Sequence, residues 1–180
     1  IERHLMKITL LTVGKTDKEI YNGLKLGIEA FNCESLQEIY VINEMARVYG
    51  LKANVSVRIN PDIDAHTHKY VTTGLYENKF GISQHEFDKL IDIIKKSEHI
   101  NFYGLHFHIG SQITRVSEVF ALECCRVNDI VAYFERNGLK VDNINLGGGL
   151  GVDYDDPDEN PIADFETWFE TINANIVRRE

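Results

Sequence analysis

The sequence predicts an α/β fold, a partial (β/α)8 TIM barrel of about five β/α units. Three observations predict it. Segments rich in β-formers alternate five times with segments of helical periodicity, the pattern of a parallel sheet with helices packed outside it. Capping signals punctuate the alternation. Thr16/Glu19, Ser35/Glu38 and Ser83/Glu86 have capping-box spacing, and Gly27, Gly50 and Gly138 follow the helical runs. Glycines and polar residues then gather just after the strands, where α/β folds bind their ligands. A complete barrel takes about 250 residues and eight strands. Five strands in 180 residues match a barrel without its ends. An open doubly wound sheet is the other architecture that fits.

The elements follow in order. Residues 7–13 (KITLLTV) read as a strand, and a helix runs from Thr16 to about Leu26. Residues 30–33 form a very short strand. A helix with Leu36, Ile39, Ile42 and Met45 on one face runs to Tyr49. Residues 54–59 (NVSVRI) are the third strand, with Arg58, Asn60 and Pro61 at its end. Residues 62–83 read as a long loop carrying His66, His68, Lys69, Tyr70, Thr73, Lys79 and Phe80; a loop of ~20 residues is usually functional. A helix capped by Ser83 runs to about Lys96, and residues 101–108 form the fourth strand. There Leu105, Phe107 and Ile109 fall on one face and His106 and His108 on the other, because side chains alternate along a strand. Residues 116–137 are a long helix, and residues 141–146 a fifth strand ending in three glycines. An acidic loop leads to a last helix running from about Ala163 to the end.

Composition narrows the function. Charged residues are 26% and hydrophobic residues 43%, ordinary for a soluble domain. A net charge of −9 argues against nucleic acid and anionic membrane as partners. No apolar run approaches the roughly 20 residues that span a bilayer. Three cysteines (Cys33, Cys124 and Cys125) without framework spacing suggest a reducing compartment, and we expect a cytoplasmic protein. Cys124 and Cys125 are neighbours on a helix and cannot both face one site.

Three motifs carry chemistry. Gly147, Gly148 and Gly149, with Gly151, let backbone N–H groups approach a phosphate without Cβ interference. The dinucleotide fingerprint is not met, since the sixth position from Gly147 is Val152. The plain alternative is a tight turn. His106 and His108, two apart on a strand, could share a metal, as in a metal-dependent barrel hydrolase. Alternatively, His106 packs and His108 lies against the ring of an aromatic cofactor beside Gly110 and Ser111. Arg58, inside an apolar strand, needs a partner. It contacts either a cofactor oxygen or an acidic side chain. The acidic stretch from Asp153 to Glu159 lacks EF-hand spacing and reads as a solvated loop.

Five segments then occur in one order. They are Phe31-Asn32-Cys33-Glu34-Ser35, Arg58-Ile59-Asn60-Pro61, Thr72-Thr73-Gly74 with Lys79-Phe80-Gly81-Ile82, His106-Phe107-His108-Ile109-Gly110-Ser111-Gln112, and Leu146-Gly147-Gly148-Gly149-Leu150-Gly151. Together they resemble the diaminopimelate decarboxylase family, among the alanine-racemase-like (fold type III) pyridoxal-phosphate decarboxylases. The resemblance covers residues 7–180 and implies the pyridoxal-binding part of a barrel. It implies that His108 stacks on the pyridine ring and that Ser111 with Gly147, Gly148 and Gly149 holds the phosphate. It sets Arg58 near the cofactor face, with Asn32 lining the pocket. The implied reaction is decarboxylation of meso-diaminopimelate to L-lysine, the last step of lysine biosynthesis, by a homodimer.

The resemblance also has gaps. The family's cofactor-bonding lysine, in a Tyr-x-x-Lys-Ala-Asn context, has no match here, and neither has its Glu-Pro-Gly-Arg segment. A C-terminal β-domain is also unmatched. We therefore expect strands three to seven of the family barrel, no catalytic residue within this chain, and no decarboxylation by it alone. Residues 1–6 match nothing in the family and read as a flanking segment. A non-catalytic phosphate-binding module is a further alternative.

Overall fold

The computed structural model describes residues 8–63, 80–156 and 164–178. Five parallel strands run in chain order: β1 (Thr9–Leu10), β2 (Ala30–Cys33), β3 (Ala53–Arg58), β4 (Ile100–His106) and β5 (Asn143–Asn145). The helices between and after them are α1 (Asp17–Leu26), α2 (Leu36–Val48), α3 (Phe87–Lys96), α4 (Val116–Arg136) and α5 (Phe165–Asn175). The sheet curls into a half-barrel with helices outside, as the alternation predicts. The loop residues 64–79, with His66, His68, Lys69, Tyr70, Thr73 and Lys79, lie outside the described residues.

Side-chain alternation divides the sheet. Phe31, Cys33, Val55, Val57, Leu105 and Phe107 point outward and are buried against Ile20 and Leu24 of α1, Ile39 and Ile42 of α2, Phe87 and Leu90 of α3, and Val127 and Phe134 of α4. Burial of this kind contributes about 25 cal/mol per Å² of apolar area. The concave face carries polar residues in rows. Register aligns Asn32 with Ser56, Ser56 with Gly104, and Gly104 with Asn143. One row nearer the mouth it aligns Arg58 with His106 and His106 with Asn145.

Several boundaries differ from the sequence reading. Within the described residues, β1 is limited to Thr9–Leu10, and β4 stops at His106. His108 therefore stands just past the strand, although Phe107 N still donates to Asn145 O at 2.8 Å. Thr16 makes the complete capping box with Glu19. Ser35 makes only half of one: its side chain accepts from Glu38 N, but the Glu38 carboxylate accepts from Glu34 N instead. Ser83 makes no side-chain cap, because a short 3-10 turn over Gln84–Glu86 precedes α3. Asp164 caps α5, accepting from Thr167 N, and the helix runs from Phe165 to Asn175 rather than to the chain end. Cys124 is buried and Cys125 exposed, as their adjacency on a helix requires.

Candidate functional site

The carboxyl ends of β3, β4 and β5 converge on one mouth. Arg58 closes β3 and meets Glu34, just past β2, with Nη1 at 3.1 and 3.2 Å from the two carboxylate oxygens. Both side chains are largely buried, at 13% and 11% exposure, so this pair is far less screened than a surface pair. The Phe80 ring centroid lies 5.4 Å from the guanidinium. Arg58 thus has the acidic partner that its place in an apolar strand demands, and one face on an aromatic ring.

His106 stands beside Arg58 on the concave face. Burial pushes its pKa down to about 4, and the nearby Arg58 and His108 add to the shift. The imidazole is therefore neutral at physiological pH. Among the described residues its Nδ1 is buried without a hydrogen-bond partner, and so is Nδ2 of Asn32, a residue 1% exposed. His106 is the last residue of β4 and His108 stands just beyond it, near enough to His106 to affect its charge. Among the described residues no group of three His, Cys, Asp or Glu side chains could hold a metal ion.

The glycine run lies against His108. Gly147, at φ +75°, has room for no side chain: a Cβ there would lie 2.5 Å from Phe107 O and 3.2 Å from His108 Nδ1. Gly149, at φ +109°, presses on the other arm, where a Cβ would fall 2.1 Å from Gly110 O. Its own carbonyl accepts from Ile113 N at 2.8 Å, and Gly151 N donates back to Ile113 O at 3.0 Å. These contacts zip the loops after β4 and β5 together. Gly148, between them, faces open space among the described residues, with nothing within 4 Å of its Cβ position beyond its chain neighbours. Ser111 is exposed at the same rim. Next to it, Gln112 clamps the loops further: Nε2 donates to Val152 O at 2.8 Å and Oε1 accepts from Val152 N at 2.7 Å.

Two clefts border this rim. One, of about 460 Å³, runs along the concave face past Asn32, Ser56, Asn145 and Gly147. The other, of about 680 Å³, lies outside the zipped loops, along Gln112, Arg115, Leu150 and Val152, and meets none of the three consecutive glycines. The first is the better candidate, since Asn32, whose Nδ2 has no hydrogen-bond partner among the described residues, and Gly147 both line it.

Comparison with known proteins places the chain in a family. Residues 4–179 match the family model described as pyridoxal-dependent decarboxylase, pyridoxal binding domain. The chain belongs to the pyridoxal-dependent decarboxylases. It is 49% identical to the diaminopimelate decarboxylase of Bacteroides thetaiotaomicron over 173 residues, 96% of this chain and 45% of that protein. The chain thus spans a little under half the length of this relative. Among solved structures, the diaminopimelate decarboxylase of Helicobacter pylori complexed with L-lysine superposes with a TM-score of 0.81 at 35% identity, covering 96% of this chain and 43% of that one. That of Methanocaldococcus jannaschii in co-complex with L-lysine gives 0.82 at 36% identity, covering 95% and 39%.

The sequence reading named Arg58, His108, Ser111, Gly147, Gly148 and Gly149, with His106 as the packed histidine, and the structure sets all of them toward the carboxyl ends of β3, β4 and β5. It missed the role of Glu34. The signal was present, since an acid follows β2 at the level where Arg58 ends β3, but only the strand order makes them neighbours. It also missed Lys15, which is buried although it lies in a loop.

Proposed function

We propose that this chain forms the pyridoxal 5'-phosphate site of a diaminopimelate decarboxylase, a carboxy-lyase that converts meso-2,6-diaminopimelate to L-lysine. The observation that carries the reading is the open space at the Gly148 Cβ position, between Gly147, which is packed against Phe107 O and His108 Nδ1, and Gly149, which is packed against Gly110 O. The residues suit the cofactor. An unsubstituted backbone admits a phosphate. His108 supplies a ring beside Gly147, and two polar groups unpartnered among the described residues, on Asn32 and His106, line the concave face.

When bound, pyridoxal phosphate supplies an electron sink for the charge left by departing carbon dioxide. The chain's own residues bind and orient. Gly147, Gly148, Gly149 and Ser111 would hold the phosphate, and His108 would lie against the ring. Arg58, fixed by Glu34, would present a cation to the cofactor. His106, kept neutral, offers Nδ1 as an acceptor or donor without adding a second positive charge beside Arg58. Support for the substrate comes from relatives named for diaminopimelate and solved with L-lysine. As in the family resemblance, the whole enzyme is a cytoplasmic homodimer in this reading. Among the described residues no helix is long and apolar enough to cross a membrane.

Titration with pyridoxal 5'-phosphate and with pyridoxal tests the reading. The phosphorylated form binds at least tenfold more tightly, about 1.4 kcal/mol, if the glycines cradle a phosphate. Equal affinities would overturn it.

A further inference from the structure

Lys15 is the least expected cation in the molecule. It sits in the loop between β1 and α1, yet its side chain is wholly buried. An ammonium has three donors, and burial without partners is costly. All three are used. Nζ donates to Thr12 O at 2.8 Å, to Asn32 O, and to Glu38 Oε1 at 3.0 Å. The acceptors belong to the loop after β1, to the mouth end of β2, and to the first turn of α2. One side chain therefore ties three elements at the mouth.

The tie continues. Glu38 Oε2 accepts from Glu34 N at 2.7 Å, and the Glu34 carboxylate holds Arg58. This explains why Glu38, at capping-box spacing from Ser35, does not close the box: its two oxygens are committed to Lys15 and to the Glu34 backbone. Without the ammonium, Glu38 is left as a carboxylate only 10% exposed and without its cation. Such a group turns toward water or toward the nearest other cation. Either movement releases the backbone at Glu34 and loosens the carboxylate that fixes Arg58.

We propose that Lys15 is a positioning residue that sets the pose of Arg58 at the cofactor face, acting through Glu38 and Glu34. This rests on the reading above that Arg58 faces pyridoxal phosphate. Lys15, with every donor committed to the fold, takes no part in the chemistry itself.

The test uses the intact protein and pyridoxal 5'-phosphate, followed by the dissociation constant and by the absorbance maximum of the bound cofactor. Lys15→Met, Glu38→Gln and Arg58→Met are compared singly, and Lys15→Met is combined with Arg58→Met. Each single variant weakens binding by roughly tenfold and moves the maximum in one direction, and the double variant is no weaker than the weaker single, because both act on one contact. Losses that multiply to roughly a hundredfold in the double variant would show independent effects and overturn the proposal. If Lys15→Met does not fold, Glu38→Gln carries the test, and wild-type affinity and spectrum in it overturn the proposal. An unchanged affinity in Arg58→Met instead overturns the assignment of Arg58 to the cofactor face. The two failures are therefore distinguishable.

Discussion

Glu123 lies on the packed side of α4, fully buried, and among the described residues neither of its carboxylate oxygens has a hydrogen-bond partner. Burial pushes its pKa from 4.5 up to about 8. The folded state therefore holds this proton more tightly than the unfolded chain does. Stability is greatest below the unfolded value near 4.5 and falls as pH rises through about 8, where folding must bury a bare carboxylate. Glu123→Met keeps the volume and removes the charge. We expect it to raise stability by about 1–3 kcal/mol at pH 9 and to remove the slope between pH 5 and 8, measured by urea unfolding at several pH values. A slope equal to the wild type's would show that Glu123 is not its source. Glu123 falls on the apolar stripe with Val116, Val119, Phe120 and Val127, so the helical period alone makes its burial legible. Arg58 is the contrasting case. Its need for a partner was legible, but the choice between an acid and a cofactor was not, because Glu34 is 24 residues away and reaches it only across the strands.

At the scale of elements, the caps decide where helices start. Thr16 accepts from Glu19 N while Glu19 returns to Thr16 N at 2.8 Å, satisfying two amides of the first turn of α1. Thr16→Ala costs about 1 kcal/mol by thermal or urea unfolding, the usual cost of losing such a cap. Unchanged stability would mean that tertiary packing alone holds the helix. Helix positions were legible from period and punctuation, and α2, α3 and α4 end within a residue or two of the expected place. Caps were less legible, because spacing does not reveal competition. Glu38 prefers Lys15 and Glu34, and Ser83 yields to a 3-10 turn. Strand ends were least legible. Leu146 and Phe107 continue the apolar pattern, but Gly147 turns the chain at φ +75° and ends the pairing.

Across the whole molecule, one side of the sheet is apolar and packed and the other polar and open. This partition was legible from alternation in β2, β3 and β4, and the proposed site falls on the concave side near the strand ends. The packing of Gly149 on Gly110 was not legible, since it depends on how two loops from different strands meet. The same partition makes the central claim testable without unfolding the protein. Gly148 does not occupy a positive-φ conformation, and a Cβ there would meet nothing within 4 Å among the described residues beyond its chain neighbours. The most direct measurement is therefore titration of Gly148→Leu with pyridoxal 5'-phosphate, alongside its thermal unfolding. If the open space at Gly148 holds the phosphate, the variant unfolds within about 1 kcal/mol of the wild type but binds the cofactor at least tenfold more weakly. Wild-type affinity in a folded Gly148→Leu protein would contradict the phosphate cradle.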